Sequence, residues 1–286
     1  MRNKLARIGC AGLILLFTAG SFSAHAEGSR LLATSGVSQI EGAAGGGLVP
    51  WAIMSGYGDE GQWSAGAFHT LTDVQDYRLS VDGASLSFNN RFEISAARQS
   101  FEIKGLAGDI RQEVYGVKAR AYGDLVYGAA PQIAVGLQHK RLIDGDIASL
   151  VGAEDNTSGT DVYLSASKVH LAALAGYHLL WNATLRATKA NQMGLLGFGG
   201  DDNNDYQLMP EVSALILLDE GLAVGAEYRA KPDNLSAFSE DSFKDVFIAW
   251  FPNKQVSLTA AYADLGSIAG SEDQAGLYVS LAANFK

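Results

Sequence analysis

The chain has 286 residues, of which 48% are hydrophobic and 18% charged, with a net charge of −10. That acid excess supplies no cationic surface to neutralise phosphates, which excludes nucleic acid as an expected partner. The single cysteine, Cys10, excludes a disulfide framework or a thiolate metal site.

At the amino terminus, Arg2, Lys4 and Arg7 precede a short apolar run from Ile8 to Ala19 and the small-x-small triplet Ala24-His25-Ala26. This pattern predicts a cleaved export signal over 1–26, its apolar run too short to span a bilayer as a helix. Cys10 lies within that leader, and Arg7 just upstream does not suit a lipid anchor. Beyond it no stretch approaches the ~18 continuous apolar residues of a membrane helix.

Residues 27–61 form a second region. Neither parity of Leu31 to Ile40 makes a lipid-facing stripe, and Gly42-Ala43-Ala44-Gly45-Gly46-Gly47 follows, then Leu48-Val49-Pro50-Trp51. Glycine and alanine permit tight bends and close backbone approach. A phosphate-cradling loop would need a following helix, which Pro50 and Trp51 oppose. Two readings stand: 31–40 and 48–57 add two strands to the sheet that follows, or the segment folds into its lumen. Weak alternation favours the second, because a strand in lipid should alternate cleanly.

From 62 to 286 the chain reads as a meander. Strands are predicted over 62–70, 78–88, 91–101, 111–122, 131–140, 160–169, 178–188, 206–217, 221–231, 243–251, 255–264 and 274–285. Most are about 9–12 residues long, the length of a tilted strand across an outer membrane. Alternation is plain in Leu222, Val224, Ala226 and Tyr228 against Glu227, Arg229 and Lys231. The last strand alternates from Leu277 to Phe285 and ends near an aromatic residue, although Lys286 follows it. Tight turns at 89–90, 218–220 and 252–254 alternate with longer polar links at 102–110, 141–159, 189–205, 232–242 and 265–273. Short turns on one side and long loops on the other are the asymmetry of these barrels. The period of Lys168 to Leu180 is ambiguous, and in 243–251 Phe243, Phe247 and Phe251 share a face with Asp245. Trp63, Phe92, Tyr122, Trp181, Tyr206, Trp250, Phe251, Tyr262 and Phe285 lie near strand ends, where interfacial girdles form.

Hydrocarbon leaves no backbone group to water, so dispersed alternating strands predict a closed sheet. The expected fold is all-β: a single antiparallel transmembrane β-barrel over 62–286, of about twelve strands, or fourteen if 27–61 adds two. Both counts keep the two termini on the periplasmic side.

Four stretches carry a resemblance: Gly36 to Trp51, Asn182 to Gly200, Val224 to Leu235 and Ser257 to Gly266. With the spacing between them, nearly the whole chain after the leader resembles an uncharacterised family of proteobacterial outer-membrane proteins, domain of unknown function 3034. The resemblance implies a barrel at the outer membrane and brings no activity, ligand or catalytic residue.

On the predicted phase, Lys118, Arg120, Lys140, Arg186, Glu211, Glu227, Arg229 and Lys231 face the lumen. Charges of both signs suit a narrow diffusion channel for small hydrophilic solutes, and the basic excess leans toward anionic ones. The alternative is a closed lumen of paired charges in a non-conducting structural or adhesive barrel. Its acidic external loops, at Glu154-Asp155, Glu240-Asp241 and Glu272-Asp273, would then meet a partner or lipopolysaccharide. Asp201-Asp202-Asn203-Asn204-Asp205 offers oxygen ligands of the kind calcium prefers, without the spacing of a calcium loop, and a solvated turn is the simpler reading. His69, His139, His170 and His178 are scattered, and no nucleophile elbow or paired-histidine zinc motif is present. No enzyme activity, cofactor or metal is therefore expected. The expected partners are outer-membrane lipid, lipopolysaccharide, the barrel-assembly machinery and small solutes.

Overall fold

The computed structural model describes residues 30, 32–153 and 156–286, apart from the side chain of Ile147. The predicted export signal lies outside the described residues. A two-residue hairpin, β1 (Val37–Ser38) and β2 (Ala44–Gly45), precedes the main sheet. The sheet comprises β3 (Trp63–Asp73), β4 (Tyr77–Phe88), β5 (Phe92–Ile103), β6 (Asp109–Tyr122), β7 (Gln132–Leu142) and β8 (Ser158–Leu174). It continues through β9 (Tyr177–Thr188), β10 (Gln207–Leu217), β11 (Leu222–Arg229), β12 (Phe243–Trp250), β13 (Val256–Asp264) and β14 (Ala275–Phe285). A five-residue helix, α1 (Asp146–Leu150), sits in the loop between β7 and β8.

Strands β3 to β14 close into one barrel, each antiparallel to its chain neighbour, with β14 sealed against β3 from Leu277↔Asp73 to Phe285↔Ala65. Among the described residues the barrel thus has twelve strands, and the region before Trp63 contributes none of them. One end carries mostly tight connections, with one longer link at 123–131. Asn89 and Asn90 turn at φ +60° and +46°, the geometry that joins twisted antiparallel strands without splaying them. The ambiguous stretch around residue 170 resolves as strand: β8 runs to Leu174 and turns at Ala175-Gly176. The opposite end carries the links 143–157, 189–206, 230–242 and 265–274.

Burial is inverted relative to a water-soluble sheet. Leu86, Ile94, Val117, Leu137 and Val162 occupy one cross-strand row by register, and all are exposed on the outer wall. Gln99, Gln112, Gln138, Thr184 and Ser213 are buried on the inner wall. Apolar outside and polar inside is the arrangement a lipid solvent selects. Most of the expected girdle is on the outside, including Trp63, Phe92, Tyr206, Trp250, Tyr262 and Phe285. Phe251 is an exception, at 4% exposure: it lies just past the last residue of β12 and turns inward.

Candidate functional site

Residues 33–58 are buried almost without interruption, although the segment has little regular structure of its own. Its backbone groups are satisfied partly by bonds within the segment, such as Ile40 N to Gly47 O and Gly46 N to Val49 O, and partly by side chains of the barrel wall. The Glu93 carboxylate of β5 accepts from Ala44 N at 3.1 Å and from Ser55 N at 2.7 Å. Across the lumen, the Glu227 carboxylate of β11 accepts from Leu48 N at 2.7 Å. Pro50 O accepts from Thr184 Oγ1 at 2.8 Å, Ala52 N donates to Ser167 Oγ at 2.9 Å, and Trp51 Nε1 donates to Ser213 Oγ at 2.9 Å. Lys118 Nζ reaches Ala44 O at 2.8 Å and pairs with Glu93 at 3.1 Å. Buried backbone polar groups need such partners, and here opposite walls supply them.

The glycine run explains how the segment fits. A Cβ on Gly46 would lie 1.9 Å from a Glu227 carboxylate oxygen, and one on Gly47 would lie 3.1 Å from the Tyr278 hydroxyl. A side chain at Gly46 would displace the carboxylate that binds the next turn of the segment.

The tip of the segment enters an ionic cluster. Glu41 is fully buried, 2.8 Å from Arg229 Nη1 and 3.5 Å from Arg186 Nη2, and is paired with Lys140. Asp161 pairs with Lys140 at 2.6 Å and Arg186 at 3.2 Å. Glu211 pairs with Arg186, and with Arg229 at 3.4 Å. The five wall residues come one each from β7, β8, β9, β10 and β11. Three are cations and two are anions, so the Glu41 carboxylate makes the cluster neutral. Burial alone would raise the Glu41 pKa. Arg229, Lys140 and Arg186 outweigh that effect and hold its carboxyl well below the usual carboxylate range.

The predicted lumen set therefore divides. Lys140, Arg186, Glu211 and Arg229 meet in the cluster, while Lys118 and Glu227 grip the segment from opposite walls. Arg120 stays apart, at a register shift near the end of β6, where it donates to Gly123 O at 2.7 Å. Lys231 lies in the loops at the end opposite the tight turns, 2.8 Å from Glu240 and 3.0 Å from Ser267 O. Its ammonium ion also stands 4.5 Å from the ring centre of Phe243. Glu240 is thus an internal strut, its side chain 1% exposed, rather than the outward acidic group its sequence position suggested. Asp201 likewise caps a loop, accepting from Ser236 N at 2.9 Å and Ser236 Oγ at 2.5 Å. Among the described residues no three His, Cys, Asp or Glu side chains converge as a metal site.

Sequence reasoning missed Glu93, Asp161 and Glu41. Glu93 and Asp161 have the inward parity of their strands, so the signal was present. Glu41 sits in an irregular segment and had no parity to read.

A closed antiparallel barrel with an apolar outer band and a polar interior defines an outer-membrane β-barrel protein. The family described as Protein of unknown function (DUF3034) matches residues 34–282, and the chain belongs to that family. No curated protein matches the chain in sequence. Among solved structures it is similar to the KdgM porin, at 11% identity and a TM-score of 0.50, over 78% of this chain and 99% of that one. The NanC porin aligns at 8% identity and a TM-score of 0.47, over 79% of this chain and 100% of that one. Omp33, an outer-membrane protein of Acinetobacter baumannii, aligns at 14% identity and a TM-score of 0.42, over 79% and 98% of the two chains. At these identities the likeness concerns the fold.

Proposed function

We propose that the protein is a narrow outer-membrane diffusion channel for small hydrophilic, anionic solutes, closed in the described state by residues 33–58. The observation that carries this reading is the cluster around Glu41. The wall alone presents Lys140, Arg186 and Arg229 against Asp161 and Glu211, one positive charge in excess. A buried net charge is costly to leave uncompensated. The protein's own carboxylate fills that place, and a solute carboxylate can take it when the segment withdraws. The anchoring groups are hydroxyls, carboxylates and amines that water or a polar solute can also satisfy, so withdrawal exposes a hydrated passage.

The test is conductance in a planar bilayer, with and without residues 32–57, followed by reversal potentials across a salt gradient. The reading expects small or rare openings in the full chain, larger ones after deletion, and anion preference in the deleted form. Silence in both forms would overturn it. That silence would favour the second reading, a non-conducting structural or adhesive barrel, which the filled lumen and the neutral cluster around Glu41 also support. Binding would then be sought at the external loops, with lipopolysaccharide as the first probe.

A further inference from the structure

From β8 to β12 the inner wall changes character at one level. Ser167, Asn182, Ser213, Glu227 and Asp245 form a row matched strand to strand from β8 to β12, and every member is polar. One inward position nearer the tight-turn end, the matched row reads Val169, Leu180, Leu215, Gly225 and Phe247. Leu217, Ala223 and Ala249 extend it toward the mouth. The residues of these apolar rows other than Gly225 line a cavity of about 450 Å³, floored by Trp51 and Val37 of the amino-terminal segment. Polar side chains stand at its rim: His178, Asp219 and Glu220.

A passage for water has no use for such a surface. At ~30 Å³ per molecule the space would hold about fifteen waters, facing walls with few hydrogen-bond partners. Its size falls within the roughly 300–1,000 Å³ of small-molecule sites, which are also mostly apolar with a few polar groups placed to orient the ligand. A deep apolar floor beneath a polar rim matches a molecule with one apolar tail and one polar head. We propose that this cavity binds the alkyl chain of a single-chain amphiphile, with its head group at the His178, Asp219 and Glu220 rim. The two rim carboxylates select an uncharged or cationic head over an anionic one. The tail would rest on Trp51, the residue whose indole is tied to Ser213. The site is independent of whether the lumen conducts.

The experiment uses the full chain in lipid nanodiscs, with Trp63, Trp181 and Trp250 changed to Phe so that Trp51 alone emits. An ω-brominated dodecanol is titrated in, because bromine quenches an indole only at close contact. The expected result is saturable loss of Trp51 emission, with about tenfold weaker binding when Ala223→Phe and Ala249→Phe fill the cavity. A brominated dodecanoate should bind more weakly than the alcohol. A companion protein retaining only Trp250, which faces lipid, should show non-saturating quenching. Heat-shifted gel mobility establishes that each variant is folded, and native mass spectrometry counts bound alcohol where a filled variant is unstable. Absent or non-saturating quenching of Trp51 would overturn the proposal, as would equal binding in the filled variant. Binding that appeared only after residues 27–29 were removed would also overturn it, by assigning the cavity to the chain itself.

Discussion

Glu41→Gln isolates the role of one buried charge. The substitution keeps the size of the side chain and removes its negative charge from among Arg229, Arg186 and Lys140. The cluster then holds three cations against Asp161 and Glu211. Breaking a buried ion pair from one side costs about 3–5 kcal/mol, because the remaining charge stays desolvated. The barrel can escape that cost by releasing the segment and letting water in. The loss therefore falls mainly on docking of residues 33–58 and should shift the docked-to-released ratio roughly a hundred- to several-thousand-fold. Proteolysis of the refolded protein in lipid reads that ratio as the rate of cleavage within the segment, and planar-bilayer recording reads it as opening frequency. Adding Lys140→Met removes one wall cation, restores neutrality and should return most of the protection; Asp161 keeps Arg186 and Thr188 as partners. If Glu41→Gln left a folded barrel with unchanged cleavage and opening, the electrostatic account of closure would be refuted. Failure of the Lys140→Met rescue would show that the specific pairs of Glu41, not the net charge of the cluster, hold the segment.

Gly46→Ala should release the segment without altering any charge, since its Cβ would collide with the Glu227 carboxylate; rapid cleavage within 33–58 in an otherwise heat-stable barrel is the expected readout. Acidification gives a signed test of Glu41. A carboxyl held below its ordinary value contributes its full stability above that value and loses it progressively as pH falls from there to the lowered folded pKa, so the segment should be fully protected above pH 4.5 and loosen progressively at more acid pH. Lys231→Met strands the buried Glu240 carboxylate and should free the external loop at 230–242, seen as faster backbone hydrogen exchange there than in β11. Leu137→Arg, on the outer wall, should destabilise the folded barrel by up to about 2–4 kcal/mol in lipid, measured by urea titration in vesicles.

The barrel was legible because a strand in lipid has a strict period of two and one apolar face. That rule located all twelve strands to within a few residues and set the inward phase of Lys140, Arg186, Glu211 and Arg229. It faltered where side chains do not alternate by polarity. In β12 the inward row runs Phe243, Asp245, Phe247, because part of the inner wall is apolar, and polarity alone could not say which face met lipid. At the end of β8, the outward His170 belongs to neither pattern. The site was only half legible: parity gave the wall charges but not their neutralising partner. Glu41 is placed by a hairpin of two-residue strands and by hydrogen bonds from Ala44 and Leu48 to Glu93 and Glu227, 49 and 179 positions away. No local pattern encodes such contacts.

The glycine run lets the segment and the barrel wall fit together. A polar lumen could be filled by ordinary side chains, and an amino-terminal segment could lie outside the barrel. This chain does neither: its glycines remove the side chains that would collide with Glu227 and Tyr278, so backbone amides reach the carboxylates of the wall. The grip is thus of two kinds: polar at these few points, and apolar where Ile40, Leu48, Val49, Trp51 and Ile53 share a buried cluster with wall residues such as Val81 and Val114. A segment held mainly by apolar packing would leave water only at a large cost in exposed area. One held by hydrogen bonds to carboxylates and hydroxyls exchanges them for bonds to water at a small net cost per bond. In the proposed channel the polar points would give way to water more readily than the apolar ones, and the apolar end around Trp51 is where the proposed amphiphile would bias release.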